Sequence, residues 1–269
     1  MTTLTLDDIL HSMGQAGRRL DEFGACEAGA GNISVCVDDL DVSSRFGRTS
    51  SIDLPWTVPA LAGRTVLVTG SGCRLREVGD DPEANVSAVR VDEGGKTGTL
   101  CTSPRRAFDR PTSEFNSHLA VHEDQVSRRG VAVHTVIHAQ PPYLVWLSHI
   151  DEARTDAEFN RRILRWEPET IVQLPQGVKV LDFMVPGSQT LMENNVRGLQ
   201  EAQIVLWSKH GIMVRSDESP LAAVDKVEYA ETGAMYEHRN IAGGGVAAGL
   251  SDAELRAVVE AFDVVTTLV

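Results

Sequence analysis

Short apolar runs alternate with amphipathic helical segments along almost the whole chain, and this alternation limits the possible folds more than any other feature. Runs such as RTVLVTG (64–70) and VAVHTVIHAQ (131–140) have the length and the β-branched content of buried strands. Segments such as 5–24 and 219–243 repeat apolar residues at helical spacing. The pattern predicts one three-layer α/β domain, with helices covering both faces of a sheet.

A glycine-rich stretch interrupts this pattern near the carboxyl end. Residues 243–249 read GGGVAAG, and the following segment, SDAELRAVVEAFDVV, has a capping serine and helical periodicity. We therefore expect a main domain over 1–242. Residues 243–269 are expected to form a flexible stretch and a helix that packs on the same domain.

The charge of the chain argues against two classes of partner. A formal net charge of −13 is unsuited to nucleic acid or to an anionic membrane surface, because both require a basic face. The amino-terminal segment has no secretory pattern, and no window approaches 18 uninterrupted apolar residues. The four cysteines form no C-x-x-C pair, which indicates reduced, partly buried thiols. We expect a cytoplasmic protein.

Three polar side chains from distant segments have the types that a divalent metal requires. They are Glu114 in PTSE, His138 in VIHAQPPY and His210 in SKHG. Gln140 lies two residues after His138 in a predicted strand, so both side chains leave the same face with Cα atoms about 6.6 Å apart. Catalytic zinc commonly takes three protein ligands and keeps one open position. The alternative is that His138 is a core histidine and His210 a turn residue.

Two glycine turns and one helix start have the chemistry of an anion site. GAGN (29–32) and TGSG (69–72) expose backbone N–H groups beside small side chains. PTSE (111–114) adds two hydroxyls at the start of a predicted helix, with Thr112 or Ser113 as the expected capping residue. Such sites suit an acidic protein because they need no lysines. Isolated tetrapeptides of this kind are more often hairpin or capping turns.

Three further histidines are interpreted as structural. His118 and His122 follow Glu114 at helical spacing and could mimic a metal pair, but half-buried packing residues are the preferred interpretation. His134 shares a strand face with His138 about 13 Å away, which is too far for both to bind one ion.

Six motifs in this order resemble the class II aldolase/adducin family over nearly the whole chain. The landmarks are G-N before a strand at 31–37, VTGSG at 68–72, PTSE at 111–114, VIHAQ at 136–140, MVPGS at 184–188 and LWSKHG at 206–211. The resemblance implies a single three-layer α/β/α domain around a central mixed, largely antiparallel sheet. It also implies a fourfold-symmetric homotetramer with active sites at subunit contacts.

The resemblance assigns roles to individual residues. The implied ligands of one divalent metal ion per subunit are His138, Gln140 and His210, with Glu114 as the base or as an additional ligand. Glu169 matches an acid that reaches the aldehyde oxygen from a neighbouring subunit. The implied substrate pocket is formed by Asn32, Ser71, Gly72, Thr112 and Ser113.

The chain departs from the family pattern at two positions. The family usually has His-x-His where this chain has Gln140 as the last residue, and glutamine binds zinc more weakly than imidazole does. Zinc is the expected metal, with manganese or iron as alternatives. Gly29 occupies a position at which family members that act on sugar phosphates of this kind have an asparagine in the phosphate site.

The resemblance implies a lyase of carbohydrate metabolism that acts in the breakdown of rhamnose. It would cleave a ketose 1-phosphate such as L-rhamnulose 1-phosphate to dihydroxyacetone phosphate and lactaldehyde, through a metal-stabilised enediolate. One alternative is another enzyme of this scaffold: an epimerase, a dehydratase or a decarboxylase. The other is a non-catalytic, adducin-like interaction module.

Overall fold

The computed structural model describes residues 4–269, so residues 1–3, with which the predicted main domain begins, lie outside the described residues. The strands are β1 (Asn32–Val37), β2 (Arg48–Asp53), β3 (Thr65–Thr69), β4 (Val86–Val91), β5 (Thr97–Thr102), β6 (Val133–Ala139), β7 (Val178–Leu181), β8 (Ile204–Trp207) and β9 (Gly211–Ser216). The helices are α1 (Leu6–Glu22), α2 (Pro82–Asn85), α3 (Phe115–Arg129), α4 (Pro142–Leu147), α5 (Asp156–Leu164), α6 (Pro168–Gln173), α7 (Gln189–Glu201), α8 (Pro220–Ala242) and α9 (Asp252–Ala261).

The strands form one mixed sheet in the order β2-β5-β4-β3-β1-β6-β9-β8-β7. Neighbouring strands are antiparallel except for β7 and β8, which run parallel. Strand β1 joins the two halves of the sheet, because it pairs with β3 on one side and with β6 on the other. The predicted mixed, largely antiparallel sheet is confirmed.

Helices cover both faces of the sheet, as the sequence pattern predicts. On β6 the side chain of Ile137 packs into a cluster with residues of α1 and α8, such as Met13 and Val227. Its neighbour Val136 points to the opposite face and packs with Val121 of α3. This alternation follows from the two-residue period of a strand and gives three layers around the sheet.

Helix α3 begins later than the sequence analysis predicts. We expected Thr112 or Ser113 as the capping residue, but Glu114 occupies the position before the first helical residue, Phe115. The Thr112 backbone N–H donates to Thr69 O at 3.1 Å, which holds the preceding segment against the end of β3. The pairing keeps residue 112 extended, so the helix starts only after Glu114.

Helix α9 agrees with its predicted cap. The Ser251 hydroxyl and the Glu254 carboxylate form a capping box, and Leu255 is buried in the core shared with α1 and α8. The division into a main domain over 1–242 and an appended segment over 243–269 stays a prediction.

All four cysteines are buried thiols with no disulfide partner. Burial raises the pKa of Cys26 and Cys36 to about 12 and that of Cys73 to about 11. These thiols are therefore protonated and unreactive at neutral pH, in agreement with the sequence analysis. None of the helices within residues 4–269 combines the length and the apolar character that crossing a membrane requires.

Candidate metal centre

His138 lies near the end of β6, and its ring is held by two neighbours. Its Nδ1 faces the Ile212 carbonyl oxygen of β9 at 2.8 Å, so Nδ1–H donates and Nε2 keeps its lone pair. The ring also stacks on Trp207, with centroids 4.4 Å apart and planes 21° from parallel. This hydrogen bond fixes the tautomer in which Nε2 can bind a metal.

His210 is presented by the tight turn between β8 and β9. Lys209 has a φ of +66°, and its backbone N–H donates to the Ser148 hydroxyl at 2.7 Å. Gly211 follows, and a Cβ there would lie 2.5 Å from the Ala139 carbonyl oxygen. Only glycine allows this close approach of the turn to β6, which places the His210 ring 5.1 Å from that of His138.

Glu114 completes the group from the start of α3. The residue is 5% exposed, and its Oε2 accepts a hydrogen bond from Asn32 Nδ2 at 2.9 Å. Glu114 Oε2 lies 3.7 Å from His138 Nε2. The ligand atoms of Glu114, His138 and His210 all lie within 4.8 Å of one another.

The protonation state of His210 and its ring nitrogen, unpaired within residues 4–269, are suited to binding a divalent cation. Burial, with His138 as a second cause, lowers the pKa of His210, so this imidazole is neutral at pH 7, as a metal ligand must be. Its Nδ1 is buried and has no hydrogen-bond partner among the described residues. Two imidazoles and one carboxylate are a common ligand set of catalytic zinc.

Gln140 lies beside the histidines but is engaged with a residue that the sequence analysis missed. A Cβ at Gly211 would lie 3.1 Å from Gln140 Cγ. With its amide nitrogen turned toward Glu27, Gln140 donates to both carboxylate oxygens at 2.7 and 3.0 Å. The amide oxygen is then the atom available to a metal. No motif distinguishes Glu27 in the sequence, and Gln140 as a ligand stays a prediction.

The three candidate anion-binding turns converge. Gly29 packs against Gly72, where a Cβ would lie 3.3 Å from the Gly72 carbonyl oxygen. The Ser71 N–H donates to Arg110 O at 2.9 Å, and the Thr112 N–H donates to Thr69 O. GAGN, TGSG and PTSE therefore meet at the end of β3 next to Glu114.

The predicted pocket residues differ in their surroundings. Asn32 and Thr112 are buried, Ser71 is half-buried, and Gly72 and Ser113 are exposed. Glu169 is also exposed, in the first turn of α6, and is not part of the Glu/His/His group. All six assignments stay predictions.

His118 and His122 are fully buried rather than half-buried as predicted, and His134 is fully buried as well. Burial lowers the pKa of all three, and that of His134 falls to about 3. They are neutral at pH 7, and they lie in a connected set of hydrogen bonds on the sheet face that α3 covers.

Known proteins resemble this chain over most of its length. The family profile described as Class II Aldolase and Adducin N-terminal domain matches residues 11–238. A rhamnulose-1-phosphate aldolase of Escherichia coli O7:K1 is 29% identical over 243 residues, covering 88% of this chain and 87% of that protein.

Two solved structures share the fold. A sugar-phosphate aldolase from Thermotoga maritima has a TM-score of 0.74 and 26% identity over 87% of this chain and 95% of that chain. YgbL from Klebsiella pneumoniae, a putative aldolase/epimerase/decarboxylase, has a TM-score of 0.65 and 19% identity over 95% of this chain and 99% of that chain.

Proposed function

This chain belongs to the class II aldolase and adducin family, and from that premise we propose that it is a metal-dependent aldolase. The proposed substrate is a ketose 1-phosphate such as L-rhamnulose 1-phosphate, and the products are dihydroxyacetone phosphate and lactaldehyde. The observation that carries the proposal is the group formed by Glu114, His138 and His210, whose ligand atoms lie within 4.8 Å of one another. The similarity to a rhamnulose-1-phosphate aldolase supports the substrate class.

The proposed ligands are His138 through Nε2, His210 and the amide oxygen of Gln140. Glu114 would be a further ligand only in the resting protein, because a carboxylate bound to the cation cannot at the same time act as the base. Zinc is the proposed metal, and manganese or iron are alternatives because an amide oxygen is a harder ligand than imidazole. When bound, the cation would act as a Lewis acid that stabilises negative charge on the substrate oxygens.

Two carboxylates would move the protons. In cleavage, Glu169 of a neighbouring subunit takes the proton of the C4 hydroxyl, and the C3–C4 bond breaks. Glu114, which takes up a proton from solvent, then gives it to C3 of the three-carbon fragment, and Glu169 releases its proton to solvent. In the condensation direction the same groups act in reverse, so Glu114 is the base that removes the carbon-bound proton.

The converging glycine turns would hold the phosphate. The Ser71 and Thr112 N–H groups already donate to backbone carbonyl oxygens. The proposed donors are therefore the remaining backbone N–H groups of the turns and the hydroxyls of Ser71, Thr112 and Ser113, and no lysine side chain is needed. The amide of Asn32 lies between these turns and Glu114. Local dipoles of this kind allow a chain of net charge −13 to bind an anion.

The alternative functions differ in what they release. An aldolase gives two carbon fragments, an epimerase returns one sugar, a dehydratase releases water and a decarboxylase releases carbon dioxide. The non-catalytic module is favoured by one observation, the replacement of a histidine by Gln140. Against the module, the chain retains Glu114, His138, His210 and Glu169 together.

A substrate and metal screen tests the proposal. Purified protein would be incubated with rhamnulose, fuculose and related ketoses, each with and without a 1-phosphate, under Zn²⁺, Mn²⁺ or Fe²⁺. We expect metal-dependent release of a three-carbon ketone and an aldehyde, and elemental analysis should find about one transition-metal ion per chain. A protein that holds no such ion, gains no thermal stability from added metal and cleaves no ketose would contradict the proposal.

A further inference from the structure

A chain of buried hydrogen bonds leads away from Glu114 through the protein interior. Asn32 Nδ2 donates to Glu114, and Asn32 Oδ1 pairs with His118 Nε2. His118 Nδ1 lies 2.6 Å from the Ser34 hydroxyl, and the same hydroxyl lies 2.7 Å from His122 Nε2. His122 Nδ1 lies 2.7 Å from His134 Nδ1. None of these three histidines belongs to the candidate metal-binding group of Glu114, His138 and His210.

The fold places these side chains on one face of the sheet. Asn32 and Ser34 alternate along β1, and register pairs Asn32 with His138 and Cys36 with His134 on β6. Helix α3 covers this face and contributes His118 and His122, which are one helical turn apart. Ser34 and the three histidines have no exposed surface, and Asn32 is 6% exposed.

The donor and acceptor roles along the chain are determined by its first link. Because a carboxylate only accepts, the amide nitrogen of Asn32 faces Glu114 and its oxygen faces His118. His118 Nε2 is therefore the protonated nitrogen. Since burial lowers the pKa of His118 and the ring is neutral, its Nδ1 accepts from the Ser34 hydroxyl.

The roles of the remaining groups, as far as His134, follow from these. The Ser34 hydroxyl donates its hydrogen bond to His118, so its oxygen accepts a hydrogen bond from His122 Nε2–H. His122 Nδ1 then accepts from His134 Nδ1–H. This leaves His134 Nε2 as a bare acceptor, and this atom is buried without a partner within residues 4–269. The reverse polarity would bury an unpaired N–H there and turn the Asn32 oxygen toward the Glu114 carboxylate.

We propose that His118, Ser34 and His122 are positioning residues for the carboxylate base. Every donor in this chain of hydrogen bonds points toward Glu114. The protonated Nε2 of His118 therefore binds the Asn32 oxygen and keeps the Asn32 amide nitrogen turned toward the base. Glu114 is thereby held in one orientation relative to the substrate carbon. The functional part of this inference rests on the proposed aldolase activity, whereas the polarity of the chain does not.

Imidazole nitrogen NMR of the wild-type protein tests the polarity. Two-bond ¹⁵N–¹H correlations distinguish the tautomers, and we expect His118 and His122 to be protonated on Nε2 and His134 on Nδ1. A resting protein in which His118 carries its proton on Nδ1 would overturn the proposal. The measurement needs no substrate and no variant, so it is decisive even if core substitutions fail to fold.

A matched pair of substitutions tests the positioning role. The amide nitrogen of His118→Gln can take the place of Nε2–H, whereas that of the shorter His118→Asn cannot reach Asn32. The measured quantity is exchange of the carbon-bound proton of dihydroxyacetone phosphate with deuterium from solvent, which depends on Glu114 and the metal but not on Glu169. We expect His118→Asn to slow exchange about 10- to 100-fold, with the dissociation constants of ketone and metal unchanged, and His118→Gln to recover most of the rate.

Equal exchange rates in the two variants would show that the chain of hydrogen bonds is only structural and would overturn the positioning role. Ser87→Ala is the control for loss of a buried hydroxyl, because Ser87 is fully buried on β4 and bonds only the Val68 carbonyl oxygen. This control should exchange at the wild-type rate. If the wild type exchanges no ketone proton, the proposed function fails, while the tautomer measurement still decides the polarity of the chain.

Discussion

Gln140 is the residue at which the metal centre departs from the His-x-His pattern of its family. It directly follows the last residue of β6, two positions after His138, and its amide nitrogen donates to the Glu27 carboxylate. An amide oxygen is a weaker zinc ligand than imidazole. If the amide oxygen of Gln140 binds the metal as proposed, the affinity of this site for zinc is expected to lie below that of a site with three histidines.

Restoring the imidazole should strengthen zinc binding. We expect Gln140→His to lower the dissociation constant of Zn²⁺ about 10-fold or more, measured by competition with a chromophoric chelator. Gln15→His, on the exposed side of α1, adds a histidine away from the site and should leave the constant unchanged. Equal zinc affinities for wild type and Gln140→His would mean that position 140 does not contact the metal.

Removing the charge of Glu114 should abolish proton transfer without unfolding the protein. Glutamine keeps the size and one oxygen of the side chain but cannot take a proton from carbon. We expect Glu114→Gln to lower the rate of ketose cleavage about 10²- to 10⁴-fold, measured at saturating metal. The control is Glu93→Gln in the exposed turn between β4 and β5. Full metal-dependent activity in Glu114→Gln would refute the role of the base.

Residue types and order were sufficient to predict that Glu114, His138 and His210 come together. Neither the contact of Glu27 nor the connections of the buried histidines could be predicted from the sequence. Glu27 stands in an ordinary loop segment, and its contact with Gln140 depends on how that loop packs against β6. The pairing of His118 with Ser34 depends on the register between β1 and α3, which no local pattern encodes.

At the scale of elements, helix α8 anchors the short helix that follows β6. The Glu231 carboxylate of α8 accepts the Tyr143 N–H on one oxygen and the Leu144 N–H on the other, both at 2.8 Å. These are free backbone donors at the start of α4. Burial raises the pKa of Glu231 from 4.5 to about 7 in spite of these two donors.

This raised pKa predicts a pH dependence of stability. Between about pH 4.5 and 7 the folded protein keeps a proton on Glu231 that the unfolded chain releases. The free energy of unfolding therefore falls as pH rises through this window, by about 3 kcal/mol for this group. Glu231→Gln cannot titrate and should lose correspondingly less stability than wild type, measured by urea unfolding at pH 5 and pH 7.5. Parallel pH profiles for the two proteins would refute the assignment.

Apolar periodicity predicted most of the elements but missed those without it. Strand β2 (Arg48–Asp53) is largely exposed along its length and lies at the edge of the sheet, so its sequence RTSSID lacks the alternation of a half-buried strand. Helices α5 and α6 were also not predicted. Each is shorter than three turns and packs on α8, and such short segments carry little helical signal of their own.

At the scale of the whole molecule, the role proposed for the exposed Glu169 predicts an active site shared between chains. If Glu169 acts on a neighbouring subunit, the expected assembly is a homotetramer with about four times the chain mass of 29.2 kDa, which light scattering would measure. The assembly and the cytoplasmic location stay predictions.

Subunit mixing tests the shared site directly. Glu114→Gln and Glu169→Gln are each expected to be inactive, but a random mixture places an intact Glu114 and an intact Glu169 together in about a quarter of the sites. We expect unfolding and refolding the two variants together to restore about that fraction of wild-type activity. Variants refolded separately and then combined are the control. A mixture without activity would indicate that both residues serve a site within one chain.

The hydrogen bond that orients His138 has a consequence for when the protein can acquire its ion. Its acceptor, the carbonyl of Ile212, is synthesised 74 residues after the histidine, and His210 also belongs to this late segment. A ribosome that has just completed β6 has therefore produced neither the full ligand set nor the contact that selects the imidazole tautomer. Metal loading at the proposed site is therefore expected only after the segment that carries His210 and Ile212 has been synthesised.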